Sequence, residues 1–103
     1  MLGKKLADNS FFIKENSWLA AIAAKKLQAA SVAMVLGNTI HLHNTSQEEF
    51  LKNENWLTHE LCHIEQFRQH GYIGFIVKYL WESIRKGYYD NKFEVEARAA
   101  EQL

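Results

Sequence analysis

The spacing of apolar residues divides the first half of the chain into a helix and a pair of strands. Over residues 17–30 apolar residues recur at helical spacing, and Ser17 is a residue type that caps helix N-termini, so a first helix is predicted there. Over residues 31–43 apolar residues alternate with small or polar ones around a Gly37-Asn38 turn, which predicts a β-hairpin. Residues 1–16 show no sustained period and are predicted to form an irregular arm whose aromatic residues pack on the domain.

A longer helical pattern follows the hairpin and continues to Gln69. Ser46 and Glu49 have the spacing of a capping box at its start, the pattern is interrupted around residues 53–55, and Gly71 is placed to end it. The apolar stripe of this helix consists of Leu57, Leu61, Ile64 and Phe67.

Two further helices are predicted in the last third of the chain. One covers residues 73–86 and ends at Gly87, and its aromatic residues recur at helical spacing, so we expect them in the core; they include Phe75, Tyr79 and Trp81. The other begins after Asn91, a capping residue type, and runs towards Leu103. The whole pattern predicts an α+β fold, with an N-terminal helix, a β-hairpin or small antiparallel sheet, a long central helix and two C-terminal helices.

Composition narrows the class of protein. With 103 residues, 48% of them apolar, the chain has the length and composition of one globular domain, and we expect residues 1–103 to form it without a second domain. Twelve basic and twelve acidic residues balance to a formal charge of zero, so neither nucleic acid nor a membrane surface is expected as a partner. The oligomeric state is left open by the sequence.

The cysteine count and the apolar runs bear on the compartment. Cys62 is the only cysteine, so no internal disulfide is expected and a reducing environment fits best. The longest early apolar run, residues 18–24, is too short to span a bilayer and is followed by lysines, so we predict neither signal peptide nor anchor. These features indicate a cytoplasmic protein.

The strongest chemical signal is the run His59-Glu60-Leu61-Cys62-His63 on the central helix. Residues four apart on a helix are separated by about 40° of rotation and about 6 Å of rise, so His59 and His63 project from one face and can share one ion. Glu60 then lies beside the face where a metal activates water, and it can accept the proton of that water without binding the metal. These are the parts of zinc-dependent hydrolysis.

The pair His41 and His43 and the single residue Glu94 are further candidate metal ligands. His41 and His43 share one face of the second hairpin strand, which is the ordinary place for histidine on a half-buried strand, so no ligand role is assigned to them. Glu94, about thirty residues beyond the paired histidines, supports two interpretations. It can complete a capping box with Asn91, or it can be the carboxylate that a catalytic zinc with three protein ligands requires.

The two histidines of residues 59–63, followed downstream by Glu94-Val95-Glu96-Ala97, resemble the gluzincins, zinc metallopeptidases with two histidines on one helix and a glutamate on a later helix. The resemblance extends over roughly residues 31–103. It implies a small zincin-like domain in which Zn²⁺ is held by His59, His63 and Glu94, with Glu60 as the catalytic general base.

The resemblance also indicates which glutamate is the third ligand, and the sequence departs from the family pattern at one position. In the gluzincins the ligand stands three residues before a small residue, here Ala97, and four before an aspartate that steadies a metal-bound histidine. Arg98 occupies that last position, so the supporting role is unassigned. A helical wheel disagrees with the family rule, because it places Glu96 in the middle of the apolar face and Glu94 on its polar side. We favour Glu94 and keep Glu96 as the alternative ligand.

The favoured function is that of a zinc metalloendopeptidase acting on peptides or unfolded protein segments, which the outer hairpin strand can hold by strand addition. His70, Tyr88 and Tyr89 are available to stabilise the oxyanion, and the sequence does not choose among them. The alternative is a zinc-binding regulatory or interaction protein that keeps a peptidase-like fold with little or no turnover. A purely structural helical domain without a metal is a further alternative.

Overall fold

The computed structural model describes residues 11–102 and confirms the α+β class. In chain order the elements are β1 (Phe12–Lys14), α1 (Trp18–Leu27), β2 (Val32–Leu36), β3 (Thr39–His43), α2 (Gln47–Lys52), α3 (Glu54–His70), α4 (Tyr72–Asp90) and α5 (Lys92–Ala100). None of the helices among the described residues combines the length and hydropathy that are needed to cross a bilayer.

The sheet has three strands in the order β1-β3-β2. Strands β2 and β3 form the predicted antiparallel hairpin, with Val35 opposite Ile40. Strand β1 runs parallel to β3 on its other side, with Ile13 opposite Ile40, so the sheet is mixed. The prediction of an irregular arm is therefore wrong for β1, because three residues are too few to display an alternating pattern. Residues 1–10 of the predicted arm lie outside the described part of the chain.

Side-chain caps set the starts of the helices, as their sequences predict. The Ser17 hydroxyl accepts a hydrogen bond from the Ala20 amide at the start of α1. Ser46 and Glu49 form the predicted capping box at the start of α2. The expected interruption falls at Asn53, whose side chain caps α3. Helix α1 ends at Leu27, three residues earlier than predicted, because the next residue adopts a left-handed backbone conformation.

Two glycines shape the second half of the fold. Gly71 has a φ of 80° and separates α3 from α4, as predicted. Gly87 has a φ of 83° and interrupts the helical geometry of α4 after residue 86, so the last turn of α4 takes a new direction. Positive φ values of this kind favour glycine, because a Cβ atom would meet the following carbonyl oxygen.

The core lies between the sheet and helices α3, α4 and α5. Its buried residues include Val35, Ile40, Leu42, Phe50, Leu57, Ile64, Phe67, Phe75 and Phe93. Phe75 is in the core, as expected for the aromatic residues of α4, and Tyr79 packs against the core while half-buried. The expectation is wrong for Trp81, which is 59% exposed because it lies on the side of α4 that faces away from the sheet.

Candidate metal centre

Helices α3 and α5 bring three potential metal ligands together. On α3, His59 and His63 lie one turn apart with ring centroids separated by 5.0 Å. On α5, a single carboxylate oxygen of Glu94 lies 2.9 Å from His59 Nε2 and 3.2 Å from His63 Nε2. The ligand atoms of the three residues all fall within 4.8 Å of one another. The residues named from the sequence as zinc ligands are therefore adjacent in space, although 31 positions separate His63 from Glu94.

The start of α5 is held by the side chain of Asn91, which is fully buried. Its carbonyl oxygen accepts a hydrogen bond from the Phe93 amide at 2.8 Å. Its amide nitrogen donates to the Tyr79 carbonyl at 3.0 Å and lies 2.9 Å from the Ser83 hydroxyl, so the cap joins α5 to α4. The predicted capping role of Asn91 is confirmed, and it fixes the first turn of α5, from which Glu94 reaches α3.

Glu94 does not complete a capping box, and that interpretation is wrong. Its carboxylate faces the two histidines and accepts a hydrogen bond from the Tyr79 hydroxyl. Burial alone would raise the pKa of Glu94, but the hydrogen bonds from His59, His63 and Tyr79 hold that pKa well below its usual range. The carboxylate is thus ionised and buried among donors, which is the state that a metal ligand requires.

The second nitrogen of each imidazole is bound by a neighbouring side chain. His59 Nδ1 lies 2.6 Å from Glu101 Oε2, and His63 Nδ1 lies 2.8 Å from Gln66 Oε1. Since the two Nδ1 atoms are engaged in this way, both Nε2 atoms are turned towards Glu94. Burial lowers the pKa of both histidines, but the hydrogen bonds and negative charge of their carboxylate neighbours outweigh it and raise the pKa.

Glu101 is a residue of the candidate site that the sequence analysis missed. Its carboxylate contacts His59 Nδ1, which is the kind of contact that the gluzincin resemblance predicts for an aspartate at residue 98. Arg98 lies elsewhere, with its guanidinium 3.9 Å from the centre of the Tyr89 ring. The sequence signal that could have identified Glu101 is its spacing from Glu94 and Ala97. These residues are three and four positions apart and therefore share one face of a helix.

Glu96, the alternative third ligand, is exposed and does not reach the histidines. Its carboxylate accepts a hydrogen bond of 2.6 Å from the amide nitrogen of Gln66, which also donates to the Phe93 carbonyl. The helical wheel was wrong here, because the buried face of α5 consists of Phe93, Glu94 and Ala97. Glu96 therefore holds Gln66, and through it the ring of His63.

Glu60 is buried beside the three ligands and is only 4% exposed. Among the described residues, its Oε1 atom is the one buried side-chain oxygen or nitrogen without a hydrogen-bond partner. Burial raises the pKa of Glu60 to about 8, and the negative charges of Glu94 and Glu101 add to this effect while His63 opposes it. A buried carboxyl oxygen without a hydrogen-bond partner is costly, and this one lies next to the ligand cluster.

A cleft of about 530 Å³ opens onto this cluster. One wall is formed by β2, and the opposite wall is formed by α4 through residues such as Phe75 and Leu80. His59, Glu60, His63 and Glu94 lie on the surface of the same cleft. Among the described residues β2 is at the edge of the sheet, so its outer backbone groups are not paired with another described strand.

The three residues considered for oxyanion stabilisation lie in different places. Tyr88 lines the cleft, and burial together with the nearby Glu94 carboxylate raises its pKa, so its hydroxyl keeps its proton. Tyr89 is exposed, and the guanidinium of Arg98 lies over its ring. His70 stacks on Phe75, and its Nδ1 atom is within hydrogen-bond distance of the Lys78 amine. Tyr88 is the one of the three that lines the cleft next to Glu94.

His41 and Cys62 are not among the clustered ligands. His41 Nδ1 lies 2.8 Å from the hydroxyl of Ser17 and so joins the sheet to the start of α1. Cys62 is half-buried, and burial, followed by the surrounding carboxylates, raises the pKa of its thiol to about 11. The thiol therefore stays protonated and is a poor metal ligand at neutral pH.

The donor set fits a zinc ion. Zinc binds histidine nitrogen and carboxylate oxygen at about 2.0–2.2 Å in tetrahedral geometry, so neighbouring ligand atoms should lie roughly 3.4 Å apart. The 2.9 Å and 3.2 Å separations between the Nε2 atoms and the Glu94 oxygen are close to this value. Two histidines and one carboxylate also leave one position for water or substrate.

The fold and the site together define a small α+β domain with a His-His-Glu cluster beside a cleft. The chain belongs to the eCIS core domain family, whose model matches residues 14–71, more than half of the chain. The match includes His59, Glu60 and His63, whereas Glu94 and Glu101 lie beyond it. No curated protein and no solved structure matches the chain.

Proposed function

We propose that this protein is a zinc-dependent metallopeptidase of gluzincin type, which hydrolyses peptide bonds in flexible or unfolded protein segments. The observation that carries the proposal is the position of Glu60, a buried carboxyl without a partner, beside a cluster of two histidines and a glutamate in the wall of one cleft. Each part of such an enzyme then has a residue: His59, His63 and Glu94 hold the metal, and Glu60 acts on the water.

Zinc, when bound, supplies a Lewis acid that lowers the pKa of water and polarises the carbonyl of the scissile bond. Glu60 accepts a proton from the attacking water and passes it to the nitrogen of the leaving amine. In the metal-free chain burial raises the pKa of Glu60 to about 8, and the positive charge of a bound Zn²⁺ would lower this pKa and so favour the carboxylate form that accepts the proton.

The supporting residues keep the ligands in position for this chemistry. Glu101 and Gln66 orient the two imidazoles, and the Tyr79 hydroxyl holds the second oxygen of Glu94. Tyr88, protonated and on the cleft surface, is the donor that we assign to the developing oxyanion.

The cleft suits an extended peptide. A segment lying along β2 gains main-chain hydrogen bonds from the edge of that strand that no other described strand covers, and its scissile bond is then close to Glu60. The walls are mostly apolar, with Val35 and Phe75 among the lining residues, so apolar side chains are favoured next to the bond. A folded protein does not offer such a segment, which is why unfolded segments are the proposed substrates.

The proposal is tested by comparing the native chain with Glu60→Gln on an unfolded, fluorescently labelled protein, after zinc content has been measured by elemental analysis. Gln keeps the shape of Glu but cannot accept the proton, so the variant should keep zinc and fold while its rate falls by on the order of 10² to 10⁴. Glu65→Gln is the matched control, because Glu65 lies on the outer side of α3 and pairs with Arg68.

Three results would count against the proposal. Native protein that takes up no zinc would remove the metal from the mechanism. Undiminished hydrolysis by Glu60→Gln would remove Glu60 from it. A native chain that binds zinc but cleaves nothing would favour the alternative, a zinc-binding regulatory or interaction protein.

A further inference from the structure

Helix α4 carries a row of large apolar side chains that are exposed, and one of them, Leu80, also lines the cleft. More than half of each of these side chains is exposed. The row, which we name the α4 stripe, consists of Ile73, Val77, Leu80, Trp81 and Ile84. Side chains of this size expose on the order of 100 Å² each at such fractions, so the stripe presents about 500 Å² of apolar surface, at the upper end of what monomeric proteins show.

The spacing within the α4 stripe is that of a helix–helix seam. Ile73, Val77, Leu80 and Ile84 follow one another at intervals of four, three and four residues. Apolar residues at these intervals occupy the a and d positions of a coiled coil, which insert between the side chains of a facing helix. A solvent-exposed face has no need of this pattern, so the stripe is built to meet another helix.

The intervals of four, three and four residues are the same in either direction along α4. When a second α4 runs antiparallel to the first, Ile73 therefore meets Ile84 of the other copy and Val77 meets its Leu80, and each contact occurs twice. This is the condition for a twofold-symmetric interface, in which one surface is complementary to itself. We infer that the protein forms a dimer in which the α4 stripes of two copies pack against each other in antiparallel orientation.

The residues beside the seam favour a second copy over an anionic partner or a lipid surface. Gly74, Ile76 and Ser83 flank the seam and carry no charge, so two copies can approach without bringing like charges together. The nearest cations are already engaged within the chain: the Lys78 amine is 3.0 Å from His70 Nδ1, and the Arg85 guanidinium lies 5.9 Å from the centre of the Trp81 ring.

The estimated area also agrees with a dimer. A standard interface buries about 800 Å² on each partner, and the stripe alone contributes more than half of that value. The inference goes beyond the proposed function and does not depend on it, because it needs neither zinc nor hydrolysis. A zinc-free or inactive chain should form the same dimer.

The test is sedimentation equilibrium of the full chain over a range of micromolar concentrations. The native chain should sediment as a dimer, while Ile73→Glu and Ile84→Lys should each raise the dimer dissociation constant by about 100-fold or more, because a charge is buried twice in each interface. The double variant Ile73→Glu/Ile84→Lys should recover much of the lost association, because positions 73 and 84 of different copies meet only in the antiparallel arrangement. In a parallel pair each position would meet itself, and like charges would oppose each other.

Ile22→Glu on α1 is the matched control, since Ile22 is also an exposed isoleucine on a helix but lies outside the α4 stripe. It should leave the dimer unchanged, and circular dichroism should show that all variants are folded. A native chain that stays monomeric at every concentration would overturn the inference, and so would a dimer that the two single substitutions leave intact. A monomer that floats with phosphatidylcholine–phosphatidylserine vesicles would replace the dimer with a lipid-binding surface.

Discussion

Glu94 connects more parts of the candidate site than any of its neighbours. One of its oxygens lies between two imidazoles, and the other accepts the hydrogen bond of the Tyr79 hydroxyl. Its carboxylate thus brings negative charge into a buried place beside His59, His63 and Tyr79. Glu96, two residues later, contacts Gln66 from the exposed side of α5.

These positions lead to different expectations for the two glutamates. Glu94→Gln should weaken zinc binding by on the order of 100-fold or more, because the site loses a charged oxygen ligand. Glu96→Gln should leave zinc affinity close to native, because an amide oxygen can still accept the hydrogen bond from Gln66. Zinc affinity is measured directly by competition with a chromogenic chelator. A variant pair with the opposite order of affinities would make Glu96 the ligand.

Glu60 should also make the stability of the metal-free protein depend on pH. Its carboxyl keeps its proton up to about pH 8 in the folded chain, whereas its ordinary pKa is 4.5. Between these values the unfolded chain has released the proton and the folded chain has not, so the free energy of unfolding falls as the pH rises. Glu60→Gln removes this loss, and the variant should be more stable than native by a few kcal/mol at pH 8 and similar at pH 4.

Urea unfolding of chelator-treated protein at the two pH values checks this expectation. Glu65→Gln again serves as the control, since its carboxylate is on the surface. Equal stabilities of native and Glu60→Gln at pH 8 would mean that Glu60 is ionised in the folded chain without a cost.

At this scale the sequence identified the residues that the structure gathers in the site, but not how they are supported. His59, Glu60 and His63 followed from their spacing on one helix, and Glu94 followed from the family pattern. The spacing of Glu101 places it on the same helix face as Glu94, but its contact with His59 spans 42 positions and depends on how α3 and α5 pack, so the spacing did not reveal its partner. Local periodicity carries no information about such a contact.

Among the elements, α5 has the largest part in supporting the site. It supplies Glu94 from its first turn and, just beyond its last residue, Glu101. The two carboxylates lie on either side of the imidazole of His59, at its two ring nitrogens. The orientation of that ring is therefore set by α5, although the histidine belongs to α3.

Glu101→Gln should reveal this dependence. The amide keeps the size of the side chain but loses the charge next to His59 Nδ1, so zinc affinity should fall by about 10- to 100-fold while the fold is retained. Glu48→Gln, at an exposed position on α2, is the control. Zinc affinity in Glu101→Gln equal to that of the control would show that the contact with His59 does not support a ligand.

The elements with strong local signals were predicted closely, and the others were not. The capping box of α2, the interruption around residues 53–55 and the end of α3 at Gly71 each have a sequence signature, and the structure places them where expected. Strand β1 has no such signature, because its partner β3 is distant in sequence and its three residues fit several conformations. Trp81 on α4 was predicted to lie in the core and is exposed, because the helical spacing of aromatic residues does not show which of them face the sheet.

For the whole molecule, the metal is expected to add to the stability of the fold. A ligand bound only by the native state stabilises it by mass action, by about 2.7 kcal/mol at a free concentration 100 times its dissociation constant. For a domain of this size the melting temperature should then fall by roughly 10 °C or more when zinc is removed. The measurement is a thermal melt with and without chelator.

His63→Ala should abolish that difference, because it removes a ligand, and His43→Ala should preserve it, because His43 lies on β3 away from the cluster. Native protein whose melting is the same with and without chelator, after loss of metal has been shown, would mean that the metal does not contribute to folding.

The fold class was predictable because the alternating and helical segments follow one another clearly along the chain. The packing of α5 on α3, which forms the site, was not predictable from them.

The contacts between α3 and α5 also close a loop. The bond between His63 and Glu94 joins residues 31 positions apart, and the whole of α4 lies between them. A chain with one cysteine cannot close such a loop with an internal disulfide. The polar contacts of the site close it instead. When the contacts between α3 and α5 break, α4 is held only by its connections to these two helices and gains conformational freedom. We therefore expect loss of these contacts to loosen α4 and to disperse the ligand cluster together.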